Sequence, residues 1–148
     1  MEKKFELTAE CKIVCGIKLF RIRALRAIAR FGVKVGDLGG WVENESNLSQ
    51  VGDAWVYGDA EVYGNAEVYG DAEVKDKSDV VWFKNIWSSG RCFTYTRSNK
   101  KWRVGCFYGT GEELIKKAYA DSEVSGKCYE ATVRYVETLE GAMEGCGR

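Results

Sequence analysis

The stretch from Gly52 to Lys75 reads GDAWVY-GDAEVY-GNAEVY-GDAEVK, and it repeats every six residues. Glycine recurs at Gly52, Gly58, Gly64 and Gly70, with alanine two positions on and valine four positions on. A short fixed period overrides weaker fold signals, because one unit cannot bury its apolar side alone and must stack on copies of itself. Within each hexad, apolar and polar residues alternate with the period of a strand. Asp53, Asp59, Asn65 and Asp71 follow the glycines, where turn residues belong. The pattern predicts a mainly β fold built on a short left-handed parallel β-helix, alanine and valine facing in.

In such a coil residues eighteen apart stack, so Trp55 is expected over Glu73 and Tyr57 over Lys75. Tyr57, Tyr63 and Tyr69 then point to three different faces rather than forming one stripe. Counting back by sixes places Val42 and Leu48 in the alanine column, with Asn44 and Gln50 in the valine column. Counting forward extends the stack to Ser78 and Val80. The expected organisation is a basic N-terminal hairpin segment (1–37), the repeat (38–80) and a C-terminal α+β part (81–148) of a hairpin and two helices.

The flanks carry their own signals. FELTAECKIV and IKLFRIRAL are strand-like runs meeting at Cys15-Gly16, and LRAIARF after them has a helical pattern. RCFTYTR and KWRVGCFY alternate around a Ser98-Asn99-Lys100 turn. Thr110 and Glu113 make a capping box that starts a helix to about Ser122, and a second helix is expected over Lys127–Leu139. The tail GAMEGCGR is expected to fray. Gly109-Thr110-Gly111 at a helix start invites a phosphate reading, but Glu112 and Glu113 oppose an anion there.

Charge is arranged in blocks beneath a net charge of zero. Cys11–Gly36 holds seven basic residues and no acid; Asp37–Asp79 holds eleven acids; Val80–Gly111 holds six basic residues and no acid. Two readings follow. The basic flanks pack on the acidic repeat and cancel as solvated pairs, or they build an anion site at an end or seam. For the second, Arg21, Arg23, Arg26 and Arg103 are the candidate phosphate forks, and Trp41, Tyr95 and Trp102 the candidate stacking rings. Trp82, Phe93 and Phe107 are assigned to the core, and Trp87 is a further ring for a site.

Composition limits the chemistry. Histidine is absent, so neither an acyltransferase-type histidine nor a cysteine–histidine pair is present. No G-x-S-x-G elbow occurs, and Glu61, Glu67 and Glu73 are expected on separate faces rather than converging. The six cysteines have no C-x-x-C spacing, which argues against zinc. No apolar run reaches about eighteen residues and the N-terminus lacks a signal-peptide pattern. The expectation is a non-enzymatic protein with no cofactor, no membrane partner, and nucleic acid disfavoured by the zero net charge.

FRIRALRAI, LGGWVENESNLSQ with the hexads after it, and VGCFYGTGEELIKKAY together resemble small phage and prophage hexapeptide-repeat proteins, many described only as polymer-forming or uncharacterised. The resemblance covers nearly the whole chain and implies a phage accessory protein acting in a bacterial cytoplasm. By analogy with other small oligomeric phage proteins, it suggests a homo-oligomeric sponge for a nucleotide-derived defence signal. The alternative is a structural or oligomerisation module that binds a host or phage protein.

Overall fold

The glycines of the repeat are turn residues held at positive φ: 75° at Gly52, 51° at Gly58, 64° at Gly64 and 69° at Gly70. This region disfavours any residue with a Cβ. Gly52 is constrained twice, because a Cβ on it would lie 2.7 Å from the Gly70 carbonyl oxygen. That oxygen accepts from the Asp53 and Ala54 amides at 3.0 and 2.9 Å, so successive turns sit directly on one another. Inside the turns, Ala54, Ala60, Ala66 and Ala72 and Val56, Val62, Val68 and Val74 are all buried. The space between facing segments is narrow, which explains why the columns hold small residues.

The computed structural model describes residues 2–88 and 90–145. Its elements are β1 (Phe5–Val14), β2 (Ile17–Ala24), β3 (Leu38–Val42), β4 (Trp55–Val56), β5 (Glu61–Val62), β6 (Glu73–Val74), β7 (Val80–Lys84), β8 (Cys92–Thr96), β9 (Lys101–Val104), β10 (Phe107–Thr110), α1 (Gly111–Asp121) and α2 (Glu123–Gly145). One four-stranded sheet has the order β1-β2-β3-β5, a second has β10-β9-β8-β7, and β4 and β6 pair by themselves. Among the described residues, no helix is long and apolar enough to cross a membrane.

The expected left-handed β-helix is not the architecture. The fold is a β-rich α+β arrangement whose larger sheets are mostly antiparallel. The repeat supplies only three two-residue strands, divided between two sheets. Its parallel pairing is confined to Trp55–Glu73 with Val56–Val74, Trp41–Glu61 with Val42–Val62, and an isolated Leu48–Val68 bridge. The physical reason is repeat number. With an eighteen-residue stacking distance, four clean hexads allow only the first and last to stack, and the rest must pair with unlike segments. Those segments have a different spacing. Val42 and Leu48 pair twenty residues on, so they occupy the valine column, not the alanine column that hexad counting assigned them.

Two short 3-10 turns close the repeat. Glu45–Asn47 and Lys77–Asp79 each carry a reciprocal cap, Asn44 with Asn47 and Asp76 with Asp79. Asn47 also donates its side-chain amide to the Gly64 and Ala66 carbonyls at 3.1 and 2.9 Å. At the other end the buried Lys4 ammonium donates to the Ala54 carbonyl at 2.6 Å and reaches Gly52 O at 3.5 Å. Gln50 bonds the Lys4 and Phe5 amides and the Phe5 carbonyl, which seats β1 on the repeat.

The flanks follow their sequence signals closely. β1 and β2 form a hairpin turning at Cys15-Gly16, with a register irregularity between Leu7 and Cys11, the residue paired with Phe20. LRAIARF yields only a 3-10 turn at Ala29–Phe31, ended by Gly32 in the left-handed region. The second sheet lies between the repeat and the helices. Phe93, Tyr95, Trp102 and Val104 face Leu114, Ile115, Val133 and Val136 in a second core. On the opposite face, the Glu67 amide donates to Thr94 Oγ1, and Trp82 packs edge-on against Tyr63 with centroids 4.9 Å apart. Thr110 and Glu113 cap α1 reciprocally. α2 starts earlier and ends later than expected, at Glu123 and Gly145. Of the tail expected to fray, 141–145 is helical and 146–148 lies outside the described residues.

Two predictions follow from this packing. Gly70→Ala meets a positive φ and a Cβ position overlapping the Tyr108 hydroxyl. It should lower unfolding free energy by roughly 1–3 kcal/mol in urea titration, whereas Gly141→Ala on the open face of α2 should not lower it. The second concerns Lys4. Burial, with the nearby Arg26 charge and against the pull of Asp53, lowers its pKa to about 7. The unfolded lysine keeps its proton to about pH 10.4, so between these values the unfolded chain binds more protons and stability rises with pH. In wild type minus Lys4→Met, stability should climb by on the order of a few kcal/mol between pH 7 and 10. A difference flat across that window would show that Lys4 is not titrating there.

Candidate functional site

The seven residues singled out in the sequence do not converge. Arg21 and Trp41 pair across β2 and β3, and the guanidinium lies 4.5 Å from the Trp41 ring centre. The Lys12 ammonium sits 4.4 Å from the same ring, which is only 6% exposed and offers no face to a ligand. Arg21 Nε and Trp41 Nε1 are buried without hydrogen-bond partners. Arg23 gives its fork to Glu6 Oε2, with contacts of 2.9 and 2.6 Å. Arg26 bonds the Gly52 carbonyl and lies 3.7 Å from Asp53. Tyr95 and Trp102 pack together in the second core at 4% and 2% exposure. Arg103 faces the repeat, bonded to Glu67 at 3.2 Å and stacked 4.0 Å from the Tyr69 ring centre.

These positions resolve the charge blocks. Basic residues of both flanks pair with acids of the repeat: Lys12 with Glu61, Arg21 with Asp59, Arg30 with Asp53 and Asp71, and Arg103 with Glu67. Glu61, Glu67 and Glu73 lie apart, the last accepting from the Tyr57 hydroxyl at 2.7 Å. Tyr57, Tyr63 and Tyr69 likewise have separate neighbours: Lys75, Trp82 and Tyr108. Arg97 and Lys100 share Glu140, whose other oxygen accepts from Tyr95 at 2.6 Å. Burial alone would raise the Glu140 carboxyl, but the bonds from Tyr95, Arg97 and Lys100 reverse this and hold it below the usual glutamate value. The Tyr95 hydroxyl is raised by burial and by the same carboxylate.

One arginine is left over. Among the described residues, Arg91 alone of the arginines has no carboxylate partner and no side-chain hydrogen bond. Its side chain lies along Gly105, where an added Cβ would come within 3.2 Å of Cδ and Nε. Gly105 and Cys106 form the tight turn between β9 and β10, since Val104 pairs with Phe107, and Gly105 has φ 57°. This turn, α1 and Tyr129 of α2 enclose an open cleft of about 520 Å³. Val104, Leu114, Ala118 and the Phe107 and Tyr129 rings form its apolar walls, with Arg91, Lys117, Asp121 and Cys106 at the rim. Lys117 also has no ion pair among the described residues. A cleft of this size with apolar walls and a few polar groups is the usual form of a small-molecule site.

A scan against protein-family models gives no match, and neither the curated proteins nor the solved structures give a significant one.

No sequence motif marks the cleft. In the sequence Arg91 is one basic residue of an acid-free block, and Lys117 lies in the segment after the Thr110–Glu113 cap with nothing to single it out. What separates Arg91 from its neighbours is that the carboxylates are used up elsewhere, which is a property of the folded chain. Gly109-Thr110-Gly111 is not a phosphate loop: Thr110 and Glu113 satisfy each other. Gly111 is small because a Cβ there would lie 2.7 Å from Val133. Cys92 and Cys106 are both free, and Cys106 is exposed beside the cleft. Among the described residues, no group of three His, Cys, Asp or Glu side chains is placed to hold a metal ion.

The Glu140 network is a structural device distinct from the cleft. Glu140→Ala removes the acceptor of Tyr95 and Arg97 and should cost about 2–4 kcal/mol in urea unfolding. Glu140→Gln, which keeps a hydrogen-bond acceptor, should lose less. Because the folded carboxyl titrates below its unfolded value, its stabilisation is present above about pH 4.5 and is lost as pH falls through the folded value. The wild-type minus Glu140→Gln difference should shrink toward pH 3.

Proposed function

We propose that this protein is a non-enzymatic binder of a small anionic ligand, held in the cleft between the β9–β10 turn and the two helices. The observation that carries the reading is the unpaired Arg91 at the rim of an aromatic-walled cleft, with Lys117 beside it. An arginine fork without a carboxylate partner is available to a phosphate or carboxylate without breaking an existing ion pair. The Phe107 and Tyr129 rings suit a flat ring, and the histidine-free sequence favours holding over turnover. Taken with the resemblance to phage hexapeptide-repeat proteins, the physiological role we favour is sequestration of a nucleotide-derived signalling molecule in an infected bacterium. Homo-oligomerisation belongs to the same proposal.

A second reading has its own observation. Phe83, Ile86, Trp87, Cys128 and Tyr135 border an apolar groove, and Ile86 is 88% and Tyr135 61% exposed. Exposed apolar side chains grouped in this way favour a protein partner.

The test is release of bound small molecules. Purified protein is incubated with lysate of bacteria whose nucleotide signalling is active, washed, heat-denatured, and the supernatant analysed by mass spectrometry. A stoichiometric phosphorylated compound is expected from wild type and from Arg23→Ala, and at least tenfold less from Arg91→Ala/Lys117→Ala. An empty wild-type protein, in lysate shown to contain such signals, would overturn the reading and leave the protein-binding alternative.

A further inference from the structure

The cleft is not isolated. Arg91 and Gly105 also line a second open pocket, of about 360 Å³, on the repeat side of the same turn. Its chemistry is different. Asn44, Ser46 and Asn65 supply an amide, a hydroxyl and an amide, and Gly64 and Gly105 supply bare backbone. The Asn44 backbone amide donates to Asn47 Oδ1 within the cap, and Asn44 itself is exposed. Ser46 and Asn65 make no side-chain hydrogen bond among the described residues. The acid of this pocket, Glu67, is bonded to Arg103.

We infer that the two pockets are chambers of one site, meeting at Arg91, and that the ligand spans them. This rests on the reading of the cleft given above and specifies its ligand. The first chamber, with apolar walls and two rings, takes a flat heteroaromatic group. The junction takes an internal phosphate or diphosphate on the Arg91 fork, with Lys117 as a second positive charge. The second chamber carries uncharged donors and acceptors, which match the hydroxyls of a sugar rather than another ring or charge. A ligand with ring, internal phosphates and hydroxylated end in that order is a nucleoside-diphosphate sugar or a similarly built nucleotide conjugate. A mononucleotide would occupy the first chamber and the junction only.

The order of groups gives a graded test with AMP, ADP and ADP-glucose as probes, their affinities read by isothermal calorimetry. ADP-glucose should bind wild type at least tenfold more tightly than ADP. Ser46→Trp places a large side chain at an exposed position of the second chamber. It should remove that gain and leave ADP within about twofold of wild type. Arg91→Ala should weaken ADP and ADP-glucose alike by tenfold or more. Each variant's thermal midpoint is measured, and Asn65→Ala, a smaller change, should cut the ADP-glucose gain alone should Ser46→Trp prove misfolded. Equal affinity for ADP and ADP-glucose, or a gain that survives both second-chamber substitutions, overturns the two-chamber inference and leaves the cleft reading standing. No binding of any of the three probes also overturns it; the lysate experiment then separately decides whether the cleft holds another anion or nothing.

Discussion

Everything in this fold depends on how closely two backbone segments approach at Gly52 and Gly70. There the Gly70 carbonyl fills the place a Cβ of Gly52 would occupy, and it holds two amides of the next turn. Such an approach fixes a narrow interior, and a narrow interior favours small residues such as alanine and valine. It also limits what the repeat can do alone. Four hexads of small residues bury little surface per residue, so the unit is stabilised by what is packed around it. The hairpin of β1 and β2, the sheet of β7 to β10 and the two capped 3-10 turns all serve that purpose. Trp82 and Tyr108, from the second sheet, add bulk beside the repeat's small residues.

Electrostatics follow from the same arrangement. The repeat places an acid on each turn, and the flanks that cover it are basic. Contacts such as Lys12 with Glu61 at 2.7 Å and Arg103 with Glu67 at 3.2 Å are local cancellations rather than a field. Exposed pairs of this type contribute typically ~0–1 kcal/mol each, so they orient the flanks more than they stabilise them. Their larger consequence is subtractive. Once the repeat and Glu140 have taken their cations, Arg91 is the arginine left over among the described residues, and it lies beside the β9–β10 turn, between the repeat and the helices.

What could be read from sequence divides along the same line. The inward alanines and valines, the Trp55–Glu73 register, the Cys15-Gly16 hairpin and the Thr110–Glu113 cap depend on residues near each other or at a fixed period. The solenoid did not follow, because periodicity states what stacks but not how many copies suffice. The twenty-residue pairing of Val42 with Val62 was hidden by a two-residue insertion at a turn, although Asn44-x-x-Asn47 and Asp76-x-x-Asp79 mark both turns once compared. The candidate rings Tyr95 and Trp102 have the alternation of a sheet face, and alternation is the same whether that face meets helices or solvent. Arg91 carries no pattern at all, since its having no partner among the described residues is decided by where the acids lie in the folded chain.

Lys4 has a further consequence, for the order of assembly. Its ammonium closes on carbonyls of Gly52 and Ala54, about fifty residues later in the chain. The segment that finishes the stack is therefore synthesised first and seated only after the first clean hexad exists. Until then the N-terminal hairpin has its own turn and ladder but no floor beneath it. The growing chain thus carries its closing piece ahead of it, and the repeat's open end stays exposed until that loop closes.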